Sequence, residues 1–227
     1  MNWREFAVQM AGMARGLLAQ ESVASTLDMI TSSAVQLVEG CDAAGILVLR
    51  KGQMSTLSPT DQFVEDCDRL HENLKEGPCF DAARRGEPVF RIHDMSAASI
   101  RWRTYAPKAH VLGVGSMMGF LLYTEDEKDL GALNLYSRAP GAFTEVSETA
   151  GWMLAAHAAV ALSAARDHAT MQLAMDTRET IGQAMGILMA RHNLDEQGAF
   201  DVLRRYSQDR NVKLREVARQ LCERGAL

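Results

Sequence analysis

The stretch from Thr144 to Asp176 restricts the fold most, because nothing in about 30 residues interrupts a helix there. Thr144, followed by Ser147 and Glu148, is typical of a helix start. At 1.5 Å per residue such a helix would be roughly 45 Å long, which exceeds an ordinary globular helix. The stretch is rich in alanine and has no clean leucine heptads, so it does not predict a leucine zipper. An apolar helix of this length still needs a partner, and we expect a homodimer through it.

The residues before this helix predict a mixed α+β domain built on an antiparallel sheet. The first helical segment ends at Gly40, and turn residues separate the later segments. In chain order the predicted elements are a helix or helix pair over residues 3–39, a β-hairpin around Lys51-Gly52, a short helix within 60–75, a strand at Val89–Ile92, a helix or ordered loop within 97–112, and a hairpin formed by Ser116–Tyr123 and Leu130–Tyr136.

The tail from residue 178 onward predicts three helices and no strand. The first is expected to end near Asn193, which tolerates the left-handed conformation. Asp195 is a good N-cap for the second, and the third is expected to begin near Asn211. The tail contains nine Lys and Arg against seven Asp and Glu, a net charge of +2, so the other 177 residues carry −7. This asymmetry favours two modules with different partners.

Composition excludes several protein classes. Hydrophobic residues make up 47% and charged residues 23%, which is ordinary for a globular protein. No apolar run approaches the roughly 20 residues that a membrane helix needs. Glu5 and Arg15 interrupt the apolar N-terminal segment, which predicts a folded helix and not a signal peptide. The four cysteines have no CxxC spacing, so we expect neither a zinc module nor a disulfide framework. We expect a cytoplasmic protein with no membrane partner.

Two glycines stand inside the first predicted tail helix. Gly182 and Gly186 align with Ala190 at spacings of four residues, although a glycine within a helix costs roughly 1 kcal/mol relative to alanine. One interpretation is that the other tail helices approach the backbone closely there, and the small size of the tail favours it. The alternative is that the strip stays open to a flat partner, such as an unstacked nucleic-acid base.

The second tail helix interleaves aromatic and basic side chains. Phe200 and Tyr206 flank Arg204 and Arg205, and Lys213 follows. Bases of single-stranded RNA stack on aromatic rings and guanidinium planes, so the pattern is typical of RNA recognition. Packing within the bundle is the favoured role of Phe200, whereas Tyr206 fits packing and RNA contact equally well.

The tail sequence RETIGQAMGILMARHNLDEQGAFDVLRRYSQDRNVKLREVARQL resembles the ANTAR domain, a three-helix RNA-binding module of bacterial transcription antiterminators. Upstream, EGPCFDA, RWRTYA and LGALNLYS resemble the GAF domain that is usually joined to ANTAR in actinobacterial proteins. The resemblance implies an α+β fold with a GAF-type antiparallel sheet flanked by helices, a long connecting helix and a C-terminal three-helix bundle. The implied segments are an N-terminal helix (1–24), a GAF-like sensor (25–165), a dimer connector (144–177, overlapping the end of the GAF part) and an ANTAR domain (178–227).

The ANTAR resemblance implies a transcription antitermination regulator, not an enzyme, that binds paired stem-loops in nascent mRNA. It implies that small residues form the RNA surface or the packing beneath it, and that basic side chains contact phosphates or loop bases. The implied RNA-binding residues are Arg178, Ala184, Gly186, Arg191, Ala199, Phe200, Arg204, Arg205, Tyr206, Lys213 and Ala218. We expect no DNA partner, and a DNA-binding helix-turn-helix protein is a less favoured alternative.

The cysteines of the GAF-like part leave an enzyme as the main alternative. Cys67 and Cys79 approximate two cysteines of free methionine sulfoxide reductases, but SIRWRTYAP stands where the third is expected. Cys79 follows Gly77-Pro78 and is predicted to begin a helix, whose N-terminus can lower a thiol pKa. These two thiols are therefore candidate redox or sensor groups. We expect no metal, since the histidines lack ligand spacing, and no cofactor, although an unidentified small ligand of the GAF part is compatible with the sequence.

Overall fold

The computed structural model describes residues 3–50, 53–78, 81, 89–123 and 131–225. The chain divides into two compact units, Met1–Arg166 and Asp167–Leu227. In chain order the described elements are α1 (Trp3–Leu18), α2 (Val23–Leu37), β1 (Ala43–Arg50), β2 (Gln53–Leu57), α3 (Gln62–Leu74), β3 (Val89–Ile92), a short 3₁₀ helix (Ala97–Ile100), α4 (Tyr105–Val111), β4 (Ser116–Leu122), β5 (Gly131–Ser137), α5 (Glu145–His192), α6 (Glu196–Arg210) and α7 (Leu214–Arg224).

An antiparallel sheet of five strands organises the N-terminal unit, with the strand order β2-β1-β5-β4-β3. Both predicted hairpin pairs are present, with Ile46 of β1 opposite Leu57 of β2 and Ser116 of β4 opposite Ser137 of β5. The turn residues Lys51-Gly52 and 124–130 lie outside the described residues. The predicted α+β class with an antiparallel sheet is confirmed.

Helices cover both faces of this sheet. Side chains alternate along a strand, so Met118 and Phe120 of β4 join a core with α1, α2 and the first part of α5, whereas Met117 points to a second core with α3 and α4. A Cβ atom on Gly151 would collide with the Phe120 ring. Glycine is therefore what allows α5 to lie this close to the sheet.

Helix α5 is longer than predicted. Its start is confirmed: Thr144 and Ser147 each accept a hydrogen bond from the other's backbone N–H at 3.3 and 3.1 Å, a reciprocal cap. The prediction of a connector helix followed by a separate tail helix from Arg178 is wrong, because a single 48-residue helix continues to His192. No proline or positive-φ residue separates the two segments, and Asn193 at φ +53° ends the helix as predicted.

The C-terminal unit is a bundle formed by the last part of α5 with α6 and α7. Asp195 caps α6 by accepting a hydrogen bond from the Gly198 N–H at 2.8 Å, and Asn211 ends α6 in the left-handed conformation. The boundary between the two units, after Arg166, lies before the domain start predicted at residue 178. The side chains that fill the bundle core are Ala184, Leu188, Ala199, Leu203, Val217, Ala218 and Leu221. No helix in the described part of the chain is long and apolar enough to cross a membrane.

Candidate nucleic-acid interface

A groove of about 850 Å³ runs between the C-terminal part of α5 and the start of α6. Residues three and four apart on a helix share a face, so each helix lines the groove with a regular set of side chains. From α5 the lining residues are Arg178, Ile181, Gly182, Met185, Gly186 and Met189, and from α6 they are Glu196, Gln197 and Phe200.

The two glycines form an open floor in this groove. A Cβ atom on Gly182 or Gly186 would find nothing within 4 Å, and Ala190 is also exposed. The favoured interpretation, in which the other bundle helices occupy the space beside the glycines, is therefore wrong. The backbone of α5 is instead accessible, as the alternative of a strip open to a flat partner requires.

The groove combines three kinds of contact that suit a nucleobase. Its floor is glycine backbone and methionine side chains, and one wall carries the half-buried Phe200 ring. Arg178 lines the same groove and supplies a guanidinium plane and a positive charge. Base faces stack on rings and guanidinium groups, so this arrangement fits an unstacked base of a loop better than a duplex.

A second group of polar side chains is buried in the N-terminal unit. The Asp68 carboxylate accepts hydrogen bonds at 2.8 Å from the hydroxyls of Thr56 and Tyr136, and burial raises the pKa of this carboxyl to about 6. Nδ1 of His71 lies 3.8 Å from the Asp68 carboxylate, but burial lowers the pKa of His71 to about 3, so the ring is neutral and the contact is no ion pair. The His71 ring packs on Tyr105, with centroids 4.1 Å apart.

Family models assign both units. A GAF domain model matches residues 20–163, and an ANTAR domain model matches residues 169–221. The chain belongs to the GAF–ANTAR regulators. GAF and ANTAR domains are regulatory domains, and the ANTAR domain is an RNA-binding one, so the groove lies within the module that the family uses for RNA.

Solved structures share the fold of the GAF domain. The GAF domain of the Acinetobacter phosphoenolpyruvate-protein phosphotransferase is 15% identical, with a TM-score of 0.55 over 74% of this chain and 96% of that one. The corresponding Coxiella burnetii domain is 14% identical, with a TM-score of 0.58 over 75% and 99%. A free methionine-R-sulfoxide reductase from Neisseria meningitidis, in complex with its substrate, is 12% identical, with a TM-score of 0.52 over 71% and 90%. Comparison with curated proteins gives no match.

The residues predicted to bind RNA occupy different places in the ANTAR domain. Arg178, Gly186 and Phe200 come together in the groove. The three alanines Ala184, Ala199 and Ala218 are 0% exposed in the bundle core. Of the two places that the resemblance implies for small residues, the RNA surface or the packing beneath it, these alanines occupy the packing. Their small side chains let the helices pack closely and leave nothing for RNA to touch.

The predicted basic residues also differ in their surroundings. Arg191 donates a hydrogen bond to the Gly225 carbonyl at the end of α7, which gives it a structural role. Arg204 pairs with Asp201 at 2.8 Å and lies on the face of α6 that carries Phe200, four residues earlier. Arg205 and Lys213 are exposed, and within the described residues no ion pair engages them.

Tyr206 is half-buried at the edge of the bundle core, and the guanidinium of Arg210 stacks over its ring at 4.6 Å. This contact leaves the ring on the rim of the domain and away from the groove lining. Gln197 and Met189 do line the groove but were not predicted. The signal that could have found them was their helical spacing, since Gln197 precedes Phe200 by three residues and Met189 follows Gly186 by three.

Of the two cysteines named for the enzyme alternative, the structure describes Cys67, and its surroundings do not support that alternative. Cys67 is fully buried beside Asp68, and burial raises the pKa of its thiol well above the usual range. The thiolate is the reactive form of cysteine, so burial makes Cys67 a poor redox candidate. Cys79 lies outside the described residues. Across the part of the chain that the structure describes, no three His, Cys, Asp or Glu side chains gather to hold a metal.

Proposed function

We propose that this GAF–ANTAR regulator binds stem-loops in nascent mRNA through the ANTAR groove and prevents transcription termination, under the control of the GAF sensor domain. The observation that carries the proposal is the open glycine floor of the groove, next to Phe200 and Arg178. Two glycines make a helix less stable, and here no other element packs against them. We therefore infer that they leave space for an external partner.

Unpaired bases of an RNA loop are the partner that fits this surface best. A base is flat and can lie on exposed backbone where a Cβ atom would hold it away. The Phe200 ring offers a stacking surface, and Arg178 can pair with a phosphate or stack on a base. Glu196 is the acidic residue of the lining and is suited to accept a hydrogen bond from an exocyclic amine.

Basic side chains outside the groove would hold the RNA backbone. Arg204 shares the Phe200 face of α6, and Arg205 lies about 100° further around the helix. Lys213 stands at the N-cap position of α7, where its exposed side chain makes no capping hydrogen bond. Phosphate contacts of this kind give affinity that falls as salt is added, whereas base contacts in the groove would give loop specificity.

The proposal includes a homodimer through the long helix. In the N-terminal unit α1 and α5 enclose an apolar groove of about 320 Å³, where Leu18 is 78% and Val160 63% exposed. A second copy would cover this apolar surface with its own equivalent, as two-fold symmetry requires. Two ANTAR domains in one dimer would bind two stem-loops with an avidity that one domain lacks. We place this action in the cytoplasm, where nascent transcripts are made.

The test is a salt titration of the full chain binding a tandem stem-loop RNA, with unstructured RNA and duplex DNA as controls. We expect tight, loop-dependent binding. The double variant Arg204→Ala/Arg205→Ala should bind more weakly, and its log–log salt slope should flatten by about 0.7 for each phosphate that the variant no longer neutralises.

The matched control is Arg219→Ala/Arg224→Ala, which removes the same charge from α7. Neither Arg219 nor Arg224 lines the groove or lies on α6, and Arg219 is held by Glu216 and Glu223, each at 2.6 Å. The control should therefore bind nearly as the unmodified chain does. Equal weak binding to all three nucleic acids would overturn the proposed function. Equal losses in both double variants would show that only net charge matters.

A further inference from the structure

Two opposite charges line the groove of the ANTAR domain without pairing with each other. Arg178 lies on α5 and Glu196 is the first residue of α6, and both side chains are exposed. The acidic residues nearest to Glu196 in the sequence are engaged: Asp195 caps the helix, and Asp201 pairs with Arg204 at 2.8 Å. Within the described residues no hydrogen bond or ion pair engages the Glu196 carboxylate, so a ligand can reach and bind it.

The two charges stand at different ends of the groove. Arg178 comes eleven residues before Met189, the last lining residue of α5, which is about 16 Å along the helix. Helix α6 begins four residues after α5 ends at His192, so Glu196 lies near the Met189 end. The groove is therefore positive at one end and negative at the other.

A carboxylate restricts what can lie at its end of the groove. RNA carries a negative charge on every nucleotide and like charges repel, so a phosphate is disfavoured beside Glu196 and favoured beside Arg178. A carboxylate accepts hydrogen bonds and donates none. The part of the RNA that fits beside Glu196 is therefore a hydrogen-bond donor.

Phe200 brings the edge of a base within reach of Glu196. The two residues are four apart on α6, so they share one face and lie about 6 Å apart along the helix axis. Gln197 also lines the groove, but its side-chain amide donates to Asp201 at 3.3 Å. A base that stacks on the Phe200 ring would therefore present its edge to the Glu196 carboxylate.

Guanine is the base whose edge matches a carboxylate. Its Watson–Crick edge presents two adjacent donors, N1–H and the N2 amine, to the two carboxylate oxygens. Adenine and cytosine present one donor beside a ring-nitrogen acceptor, and uracil presents one donor between two carbonyl oxygens, which a carboxylate repels. Both bonds to guanine would be charge-assisted and therefore stronger than bonds between neutral groups. An unpaired loop leaves this edge of the base free.

We propose that Glu196 is a specificity-determining residue of the ANTAR domain and selects one unpaired guanine of the RNA loop. The guanine stacks on Phe200 above the glycine floor, and its N1–H and N2 amine donate to the Glu196 carboxylate. The phosphate backbone lies toward Arg178, away from the carboxylate. This selection rests on the proposed function, because it requires that RNA loops bind in the groove.

The test moves a single guanine through an otherwise all-uridine loop, which both loops of a tandem stem-loop RNA share. Affinity for the full chain is measured for each RNA. We expect one loop position at which guanine binds at least about tenfold more tightly than uridine. Inosine lacks the N2 amine but keeps N1–H, so at that position its affinity should lie between those of guanine and uridine.

Glu196→Gln should change the preferred base. Glutamine offers one acceptor and one donor, which match the one donor and one acceptor of adenine. We expect this variant to bind the adenine loop at least about fivefold more tightly than the guanine loop, which reverses the preference of the unmodified chain.

The matched control is Glu179→Gln, which removes the same charge from a residue of α5 that does not line the groove. This control should keep the preference for guanine. Because each variant is compared with itself on different RNAs, changes in net charge or helix stability do not enter the comparison.

The possible results separate the selection from the proposed function. If the unmodified chain binds stem-loops but no loop position favours guanine, the selection is wrong and the proposed function stands. The selection is also wrong if Glu196→Gln keeps the preference for guanine, as it would if Glu196 only stabilised the first turn of α6. If the unmodified chain binds no stem-loop, the proposed function fails and the selection fails with it.

Discussion

Asp68 and His71 lie side by side inside the GAF domain, and burial moves their pKa values in opposite directions. The carboxyl, with an ordinary pKa of 3.8, reaches about 6, and the imidazole falls from 6.5 to about 3. Each shift means that the folded and unfolded states bind protons differently over a range of pH. The two residues therefore contribute opposite pH dependences to the stability of one domain.

The sign of each contribution follows from which state binds more protons. Between pH 4 and 6 folded Asp68 holds a proton that the unfolded chain has lost, so its contribution to stability falls as pH rises. His71 is neutral when folded, so its contribution is present above pH 6.5 and is lost as pH falls toward 3. Between pH 4 and 6 the two residues therefore change the free energy of unfolding with pH in opposite directions.

Asp68→Asn would remove one of these slopes. We expect the unfolding free energy of the variant to rise with pH between 4 and 6 more steeply than that of the unmodified chain, by up to about 3 kcal/mol over this range. Urea unfolding followed by tryptophan fluorescence measures this, because all three tryptophans lie in the N-terminal unit, at positions 3, 102 and 152. If the unfolding free energies of the two proteins change with pH in parallel, the raised pKa of Asp68 is contradicted.

At the level of elements, α5 contains glycines with opposite roles. Gly151 is required by close packing, since a Cβ atom there would meet the Phe120 ring. Gly182 and Gly186 face open space, although they belong to the same helix. The sequence alone does not distinguish these glycines, because the difference lies in what the rest of the fold places opposite them.

The two roles predict stability changes of opposite sign. Gly186→Ala should stabilise the ANTAR domain by up to about 1 kcal/mol through helix propensity, and it should weaken RNA binding by raising the groove floor. Gly151→Ala should destabilise the GAF domain by about 1–3 kcal/mol through overpacking against Phe120. Thermal unfolding by circular dichroism, with RNA affinity measured in parallel, tests both variants. A destabilised Gly186→Ala would mean that an element packs on that face after all.

Local signals predicted the ends of elements well. The Thr144 and Asp195 caps and the Asn193 stop are found where the sequence places them, because capping depends on a few neighbouring residues. The third tail helix begins at Leu214, three residues after the predicted start near Asn211. The continuity of α5 past Asp176 was missed, since a helix without a breaker can continue or stop according to its tertiary contacts. For the same reason the buried places of Ala184, Ala199 and Ala218 could not be separated from surface positions by spacing alone.

For the whole molecule, the two-module organisation follows from motifs and charge, but the arrangement of strands does not. The order β2-β1-β5-β4-β3 joins β1 to β5, with Ala44 opposite Leu135, across more than 80 residues of sequence. Hairpins are local and can be predicted, whereas such a pairing depends on the packing of both sheet faces. The oligomeric state is a property of the same kind, because it depends on surfaces that one chain leaves uncovered.

The proposed homodimer predicts how a charge placed on the exposed face of α5 changes assembly. Val160→Asp, on the exposed face of α5, should raise the dimer dissociation constant by more than about tenfold, because an acidic group would be buried without a partner. Val111→Asp is the matched control: Val111 is 85% exposed at the end of α4, on the other side of the sheet. Light scattering at micromolar concentration should show a dimer for the unmodified chain and the control.

The proposed homodimer also predicts how RNA affinity depends on the number of stem-loops. The unmodified dimer should bind a tandem stem-loop about 10²-fold or more tightly than a single one, since the second contact becomes intramolecular. Val160→Asp should lose this advantage yet bind the single stem-loop normally, because its ANTAR groove is unchanged. If light scattering shows that the unmodified chain is a monomer, the proposed homodimer is wrong. A dimer that binds one and two stem-loops equally well would show that its two grooves do not act on the same transcript.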